Sequence, residues 1–366
     1  MKKCRWFNDA SAAAVLMIDD LSNGYLDLHG TGLVPASDWG LGGRGPNSIF
    51  RHFEDRLLSK HPEVRYTVFL PFGPHSIGLV ESRYPAVARG AFETDQFIGL
   101  LRYILAQQQE IAYHGHHHGS PHPTLDPQTW VGEHEHRGPS VYAEQMAADL
   151  GRFKDVFGVE VLGGKAPGYR YDGSLETLLQ QSPFRWWAFD FAPARRLPEY
   201  RGRLIDFPAN LVGNLLAPGG DPLRGRLRRF LGEYRVERIV ERGGVVAIQE
   251  HFLSTRPDGR RQHPNLYDDI PSLERILDLL RGEDIWYATC SDIAWYYDSV
   301  EQTRIVPGAP GEYQLSYQGA WEKPLLSVRA ASPQLTNLAS GVVVHGARKG
   351  GQWVFSGLAP GTYREA

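Results

Sequence analysis

Glu110-Ile-Ala-Tyr-His114-Gly-His-His-His118-Gly119 is the stretch on which the reading of this chain turns. Ile-Ala-Tyr is a short apolar strand pattern that delivers His114 to its C-terminal end, and three more histidines follow at 116, 117 and 118. Imidazole is the commonest protein ligand for zinc-like metals. Two histidines four apart can face one point if the chain curls into a turn, and glycines at 115 and 119 permit that turn. A solvated loop or an expression tag is the competing explanation. The cluster is internal and follows an apolar strand, which argues against a tag. A metal site needs a carboxylate from elsewhere.

Residues 12–18 (AAAVLMI) supply it, because this run ends in Asp19-Asp20. A short, continuous apolar run bounded by polar residues reads as a buried strand of a parallel sheet. Folds of alternating strands and helices place their chemistry at the C-terminal ends of such strands. Two uncompensated acids there would be costly.

Strand and helix patterns alternate along the rest of the chain. Helical spacing covers 49–60, 93–108, 141–157, 174–181, 223–242, 271–280 and 291–297, the last capped by Ser291 or Asp292. Strand patterns cover 64–70, 159–165, 185–191, 203–207, 244–249 and 284–288. Some eight alternations predict a parallel α/β barrel. Lys165, Asp190 and His251 recur, with Asp19, Asp20 and His114, at the ends of its strands. The Gly-, Asn- and Pro-rich stretch 22–48 and residues 119–138 read as long loops of the functional kind. His134 and His136 belong to the second, as extra ligands or as part of a substrate-facing lid.

From about residue 301 the texture changes to Gly/Pro turns between short strand-like runs. The expected organisation is a barrel over 1–300 and a small all-β appendage over 301–366, without a catalytic pattern of its own.

Bulk composition narrows the function. The chain has 366 residues, is 42% hydrophobic and carries a formal net charge of −3. It can bury a sizeable core, and its charge disfavours nucleic-acid binding. The basic run 224–229 (RGRLRR) reads as the exposed face of a helix. Cys4 and Cys290 are the only cysteines. They make neither a disulfide framework nor a cysteine zinc site, and they suit a reducing compartment. Residues 12–18 are too short for a secretion signal, and no apolar stretch is long enough to span a membrane. The sequence-level expectation is a soluble, cytoplasmic protein.

In this order the motifs resemble the polysaccharide deacetylase family, the NodB-homology carbohydrate esterases. The family's T-F-D-D appears here as Met-Ile-Asp19-Asp20, and its H-[ST]-x-x-H as His114 to His118 after Glu110-Ile. Its R-x-P-[YF]-G is matched loosely by Lys165-Ala-Pro167-Gly168-Tyr169, and its late L-x-H by Ile248 to His251, one residue longer. The resemblance spans residues 12–298. It implies a distorted (β/α)7–8 barrel and one divalent metal ion, zinc by default and cobalt, nickel or iron as alternatives.

It further implies that Asp20, His114 and His118 hold the metal. His116 and His117 are the rivals, disfavoured by the three-residue gap of the motif. Asp19 would be the general base and His251 the general acid, with Lys165 orienting Asp19. An oxyanion would be met by a backbone N–H near Gly168 and Tyr169. Tyr169, Trp186, Trp187 and Asp190 would line the substrate, since aromatic rings stack on sugars. The implied activity is removal of an N-acyl group, acetyl above all, from an amino sugar or saccharide. The rivals are a deformylase or amidase acting on a non-sugar amide, and a carbohydrate-binding barrel that has lost turnover.

Overall fold

All eight residues of Ala12–Asp19 are buried, and they explain the architecture in miniature. Side chains alternate across a strand. Ala12, Ala14, Leu16 and Ile18 face one apolar cluster, while Ala13, Val15 and Met17 face another. A strand buried on both faces belongs in the centre of a layered α/β fold. The computed structural model describes residues 1–26, 44, 48–74, 86–121, 130–132, 139–217, 222–252 and 262–366.

The central strands are β1 (Ala12–Asp19), β2 (Tyr66–Leu70), β3 (Glu110–Tyr113), β4 (Gly163–Lys165), β5 (Trp186–Ala188), β6 (Leu204–Asp206), β7 (Leu211–Val212), β8 (Val245–His251) and β9 (Ile285–Tyr287). They run in the spatial order β6-β5-β4-β3-β2-β1-β8-β7, and β9 pairs with the start of β1. All these pairings are parallel. The two ends of this order are joined by one piece of chain. Residues 204–206 pair with β5, Phe191 bridges Ala209, and residues 211–212 pair with β8. The sheet therefore curls into a distorted barrel, as the alternating pattern predicts.

Helices α1 (Ile49–Phe53, continued as a π turn over Glu54–Leu58), α2 (Asp95–Ala106), α3 (Pro139–Phe157), α4 (Gly173–Gln181), α5 (Pro222–Glu241), α6 (Leu266–Arg281) and α7 (Cys290–Gln302) complete the alternation. The outer cluster packs apolar residues of α1, α2, α4 and α6 on the sheet. The inner cluster fills the curl with Val15, Met17, Phe69, Ala112, Trp186 and Ala247, and adds Ile293, Ala294 and Tyr296 of α7. Gly163 and Gly164 make room for the two tryptophans of β5. A Cβ at Gly163 would fall 2.1 Å from the Trp186 ring, and one at Gly164 would fall 2.4 Å from Tyr113 O.

Several boundaries differ from the sequence reading, as where the strand expected over 185–191 is only Trp186–Ala188, and two of them have a capping cause. Helix α6 starts at Leu266 rather than at Pro271, because Asn265 caps it by accepting from Asp268 N, and the proline sits within the helix. Helix α7 is capped by Thr289 in a reciprocal capping box with Asp292, not by Ser291 or Asp292 itself. Residues from Thr303 onward form two antiparallel sheets around Leu315, Val328, Leu335, Phe355 and Tyr363. The second of them recruits Lys2–Lys3 from the N-terminus as a strand beside Leu326–Ala330.

Among the described residues no helix is long and apolar enough to cross a membrane. Most of the loop over 22–48 lies outside the described residues, as do His134 and His136.

Candidate metal and catalytic site

Parity along the strands decides what enters the barrel. Met17 faces inward, so Asp19 does too, and Ala112 likewise carries His114 inward. On β8 the inward residues after Val245 and Ala247 are Gln249 and His251. These side chains meet at the C-terminal rim. Asp19, Asp20, His114 and Lys165 are all buried.

Asp20, His114 and His118 each offer a ligand atom, and these atoms all lie within 4.8 Å of one another. His118 Nε2 is 2.9 Å from Asp20 Oδ1, and His114 Nε2 is 3.5 Å from it. The turn between the histidines depends on Gly115 at φ 80°. Asp20 and His118 themselves adopt left-handed backbone, at φ 64° and 65°. Such conformations cost roughly 1 kcal/mol or more each, and they cluster at functional sites. Here the strain turns Asp20 and His118 toward one point.

The donor set fits a divalent cation. Among the described residues His114 Nε2 is buried without a hydrogen-bond partner, while its Nδ1 is held by Lys165 O at 3.1 Å. A carbonyl can only accept, so this bond places the proton on Nδ1 and leaves the Nε2 lone pair directed at the site.

His116 and His117 turn away. His116 Nδ1 bonds Asp149 of α3 at 2.9 Å, and its ring lies over Gly73, where a Cβ would come within 2.3 Å. His117 Nδ1 faces Pro74 O at 3.4 Å.

Beside the donor set lies a polar network around Asp19. Lys165 Nζ pairs with Asp19 Oδ1 at 2.6 Å. Gln249 Nε2 donates to Asp19 Oδ2 at 2.6 Å, and Gln249 Oε1 accepts from Lys165 Nζ at 2.6 Å and from the Tyr169 hydroxyl. Burial pulls the Lys165 ammonium below its usual range, and the Asp19 charge opposes that pull. Burial pushes the Tyr169 phenol well up, and the Asp19 charge adds to it, so this hydroxyl stays protonated and donates. Gln249 was absent from the sequence reading, which aligned the late motif on Ile248. Counting back by two from His251 would have found it.

His251 Nε2 lies 3.7 Å from Asp19 Oδ2, on the same side as His114 Nε2 at 3.7 Å. Its Nδ1 donates to Pro264 O at 2.7 Å. Burial lowers its pKa, opposed by Asp19 and Asp20, so the resting ring is neutral with an open Nε2 lone pair.

The remaining predicted residues fall elsewhere. Tyr169 N–H is already bonded to Ala166 O at 2.9 Å, which leaves Gly168 N–H as the backbone donor of that pair. Trp187 is on the outward face of β5, fully buried against Phe184 at 5.1 Å. Trp186 lies deeper in the curl, donating to Ser291 Oγ at 2.8 Å. Asp190 is exposed and pairs with Arg195 at 3.2 Å.

The chain resembles solved polysaccharide deacetylases. One, a protein assigned as a polysaccharide deacetylase from Mycobacterium smegmatis, shares 15% identity over 85% of this chain and 98% of its own, with a TM-score of 0.47. Another with the same assignment, from Pseudomonas aeruginosa PAO1, shares 17% over 82% and 96%, also at 0.47. Puue allantoinase shares 16% over 80% and 92%, at 0.44. No family model matches the chain, and neither does any curated protein sequence. At such identities chemistry has to be argued from the side chains themselves.

Proposed function

We propose that this protein is a metal-dependent amide hydrolase that removes an N-acyl group, acetyl above all, from an amino sugar. The observation that carries the reading is the convergence of Asp20, His114 and His118 within 4.8 Å, beside Asp19 and facing His251. The substrate class comes from the motif resemblance.

A divalent cation held by Asp20, His114 and His118 would polarise the acyl carbonyl and acidify a water, since three protein ligands leave positions open. Asp19 is the proton acceptor. Its Oδ1 is tied to Lys165, and its Oδ2 faces the rim, where it takes the proton of the attacking water. Lys165 Nζ pairs with Asp19 Oδ1, and the Gln249 amide on Oδ2 fixes the carboxylate rotamer. His251 rests without a proton on Nε2, so the proton it hands to the leaving nitrogen must arrive during the reaction. Asp19 Oδ2, 3.7 Å away, is the nearby source. Gly168 N–H is the backbone group left to meet negative charge on the acyl oxygen.

The test is elemental analysis of the purified protein and of His114→Ala, together with turnover of N-acetylated chito-oligosaccharides. Near-stoichiometric metal lost in the variant, with turnover lost in parallel, is expected. A protein that takes up no divalent metal even on reconstitution would sink the reading.

A further inference from the structure

Helix α5 carries a second apolar stripe on its solvent side. Its buried face is made of Gly225, Gly232, Val236, Ile239 and Val240. Gly232 sits so close to the preceding turn that a Cβ there would meet Leu216 Cδ2 at 2.7 Å and Leu215 Cγ at 3.1 Å. The opposite face carries Leu227, Phe230, Leu231 and Tyr234, which are 59, 64, 54 and 53% exposed. Their i, i+3, i+4, i+7 spacing is the pattern that normally buries in a core. The inner face is already filled by Val236, Ile239 and Val240, with Gly232 lying close against Leu215 and Leu216, so the outer stripe is surplus to the core. A local rule broken this consistently points to function rather than to packing.

The flanking charges identify what covers the stripe. Arg226 and Arg228 are exposed beside it, and over residues 222–234 four arginines stand against the single acid Glu233. Apolar side chains bordered by arginines match a surface that is apolar beneath and anionic at its edge. A second protein fits less well. Two aromatic side chains of ~150–250 Å² and two leucines, each about half exposed, offer no more than roughly 400 Å². That is about half of the ~800 Å² one partner buries in a stable complex. Helix α5 descends from the rim end of β7, and its C-terminal end reaches Arg5 near the base of the barrel.

We propose that α5 is a peripheral docking face for an anionic lipid surface. Leu227, Phe230, Leu231 and Tyr234 enter the boundary between headgroups and acyl chains, and the arginines meet headgroup phosphates. The inference does not depend on the proposed activity.

Flotation of the full chain with phosphatidylcholine vesicles, with and without phosphatidylglycerol, tests it. The wild type is expected to float with the anionic vesicles only, and less so as salt rises. Phe230→Ser with Leu231→Ser, and separately Arg226→Glu with Arg228→Glu, should each weaken binding by roughly tenfold or more. All four side chains lie off the core, so both variants should keep the wild-type melting temperature. The proposal is overturned if the wild type ignores anionic vesicles. It is equally overturned if the serine variant binds them as well as the wild type, or if the stripe instead drives a concentration-dependent dimer that Phe230→Ser abolishes.

Discussion

Lys165 Nζ lies 2.6 Å from Asp19 Oδ1, and both side chains are sealed from solvent at the end of the barrel. A buried ion pair is weak evidence for stability, because desolvation offsets much of the attraction. Its evident consequence here is positional. The carboxylate is held by Lys165 on one oxygen and by Gln249 on the other, beside two ligand-type histidines.

Removing the cation should therefore harm both folding and turnover. Lys165→Met leaves a buried charge without its partner, a loss of ~3–5 kcal/mol. Turnover should fall by roughly 10²-fold while metal content holds, because none of the three ligands is altered. Urea titration, elemental analysis and an amide assay on one preparation check this. Wild-type turnover in the variant would remove Lys165 from the machinery.

Asp19→Asn distinguishes base from ligand. Asp19 Oδ2 and Asp20 Oδ1 stand at similar distances from His114 Nε2, 3.7 and 3.5 Å. If Asp20 is the ligand and Asp19 the base, the variant keeps its metal and loses turnover by about 10²–10⁴-fold. Loss of metal in Asp19→Asn would reverse the two roles.

The pH profile should report His251. Its folded pKa is depressed by burial, with Asp19 opposing, so it protonates only below the ordinary value near ~6.5. The acid limb of kcat/KM should lie below that value and flatten in His251→Gln. Stability has the same sign. As pH falls through ~6.5 the unfolded chain takes up the proton first, so the folded state loses ground there. An acid limb at or above ~6.5 that survives in His251→Gln would assign it to another group.

Glu110, at the opposite end of β3, carries a separate pH signature. Burial pushes its pKa up to about 7, against the hydrogen bonds from Ser291 and Thr67 that lower it. The folded state holds this proton more tightly than the unfolded chain. The stability it contributes is thus present below about 4.5 and declines as pH rises to about 7. The decline should be on the order of 2 kcal/mol once partial exposure is allowed for. Glu110→Gln should remove that slope, seen as a urea midpoint that no longer falls between about pH 5 and about pH 8.

Much of this was legible in the chain itself. Residues 12–18 are apolar without a break, and a strand covered on both faces is the simplest reading of so short a run. The alternation of that pattern with 3.6-residue periodicity is enough to specify a parallel α/β barrel. The spacing of His114 and His118, two glycines and a pair of acids name the candidate donors, since few other arrangements of those residue types are chemically useful. What sequence could not supply is direction. Whether Trp187 or Trp186 faces inward, and whether Gln249 or Ile248 does, depends on strand parity relative to an axis that exists only once the sheet has curled. The curl puts Trp187 in the outer layer and brings Gln249 to Asp19. The same holds for α5. Its stripe has the period of a core face, and only the packing of Val236, Ile239 and Val240 on the core leaves it outside. Local pattern sets which elements form, while long-range packing sets which of their faces is free to act.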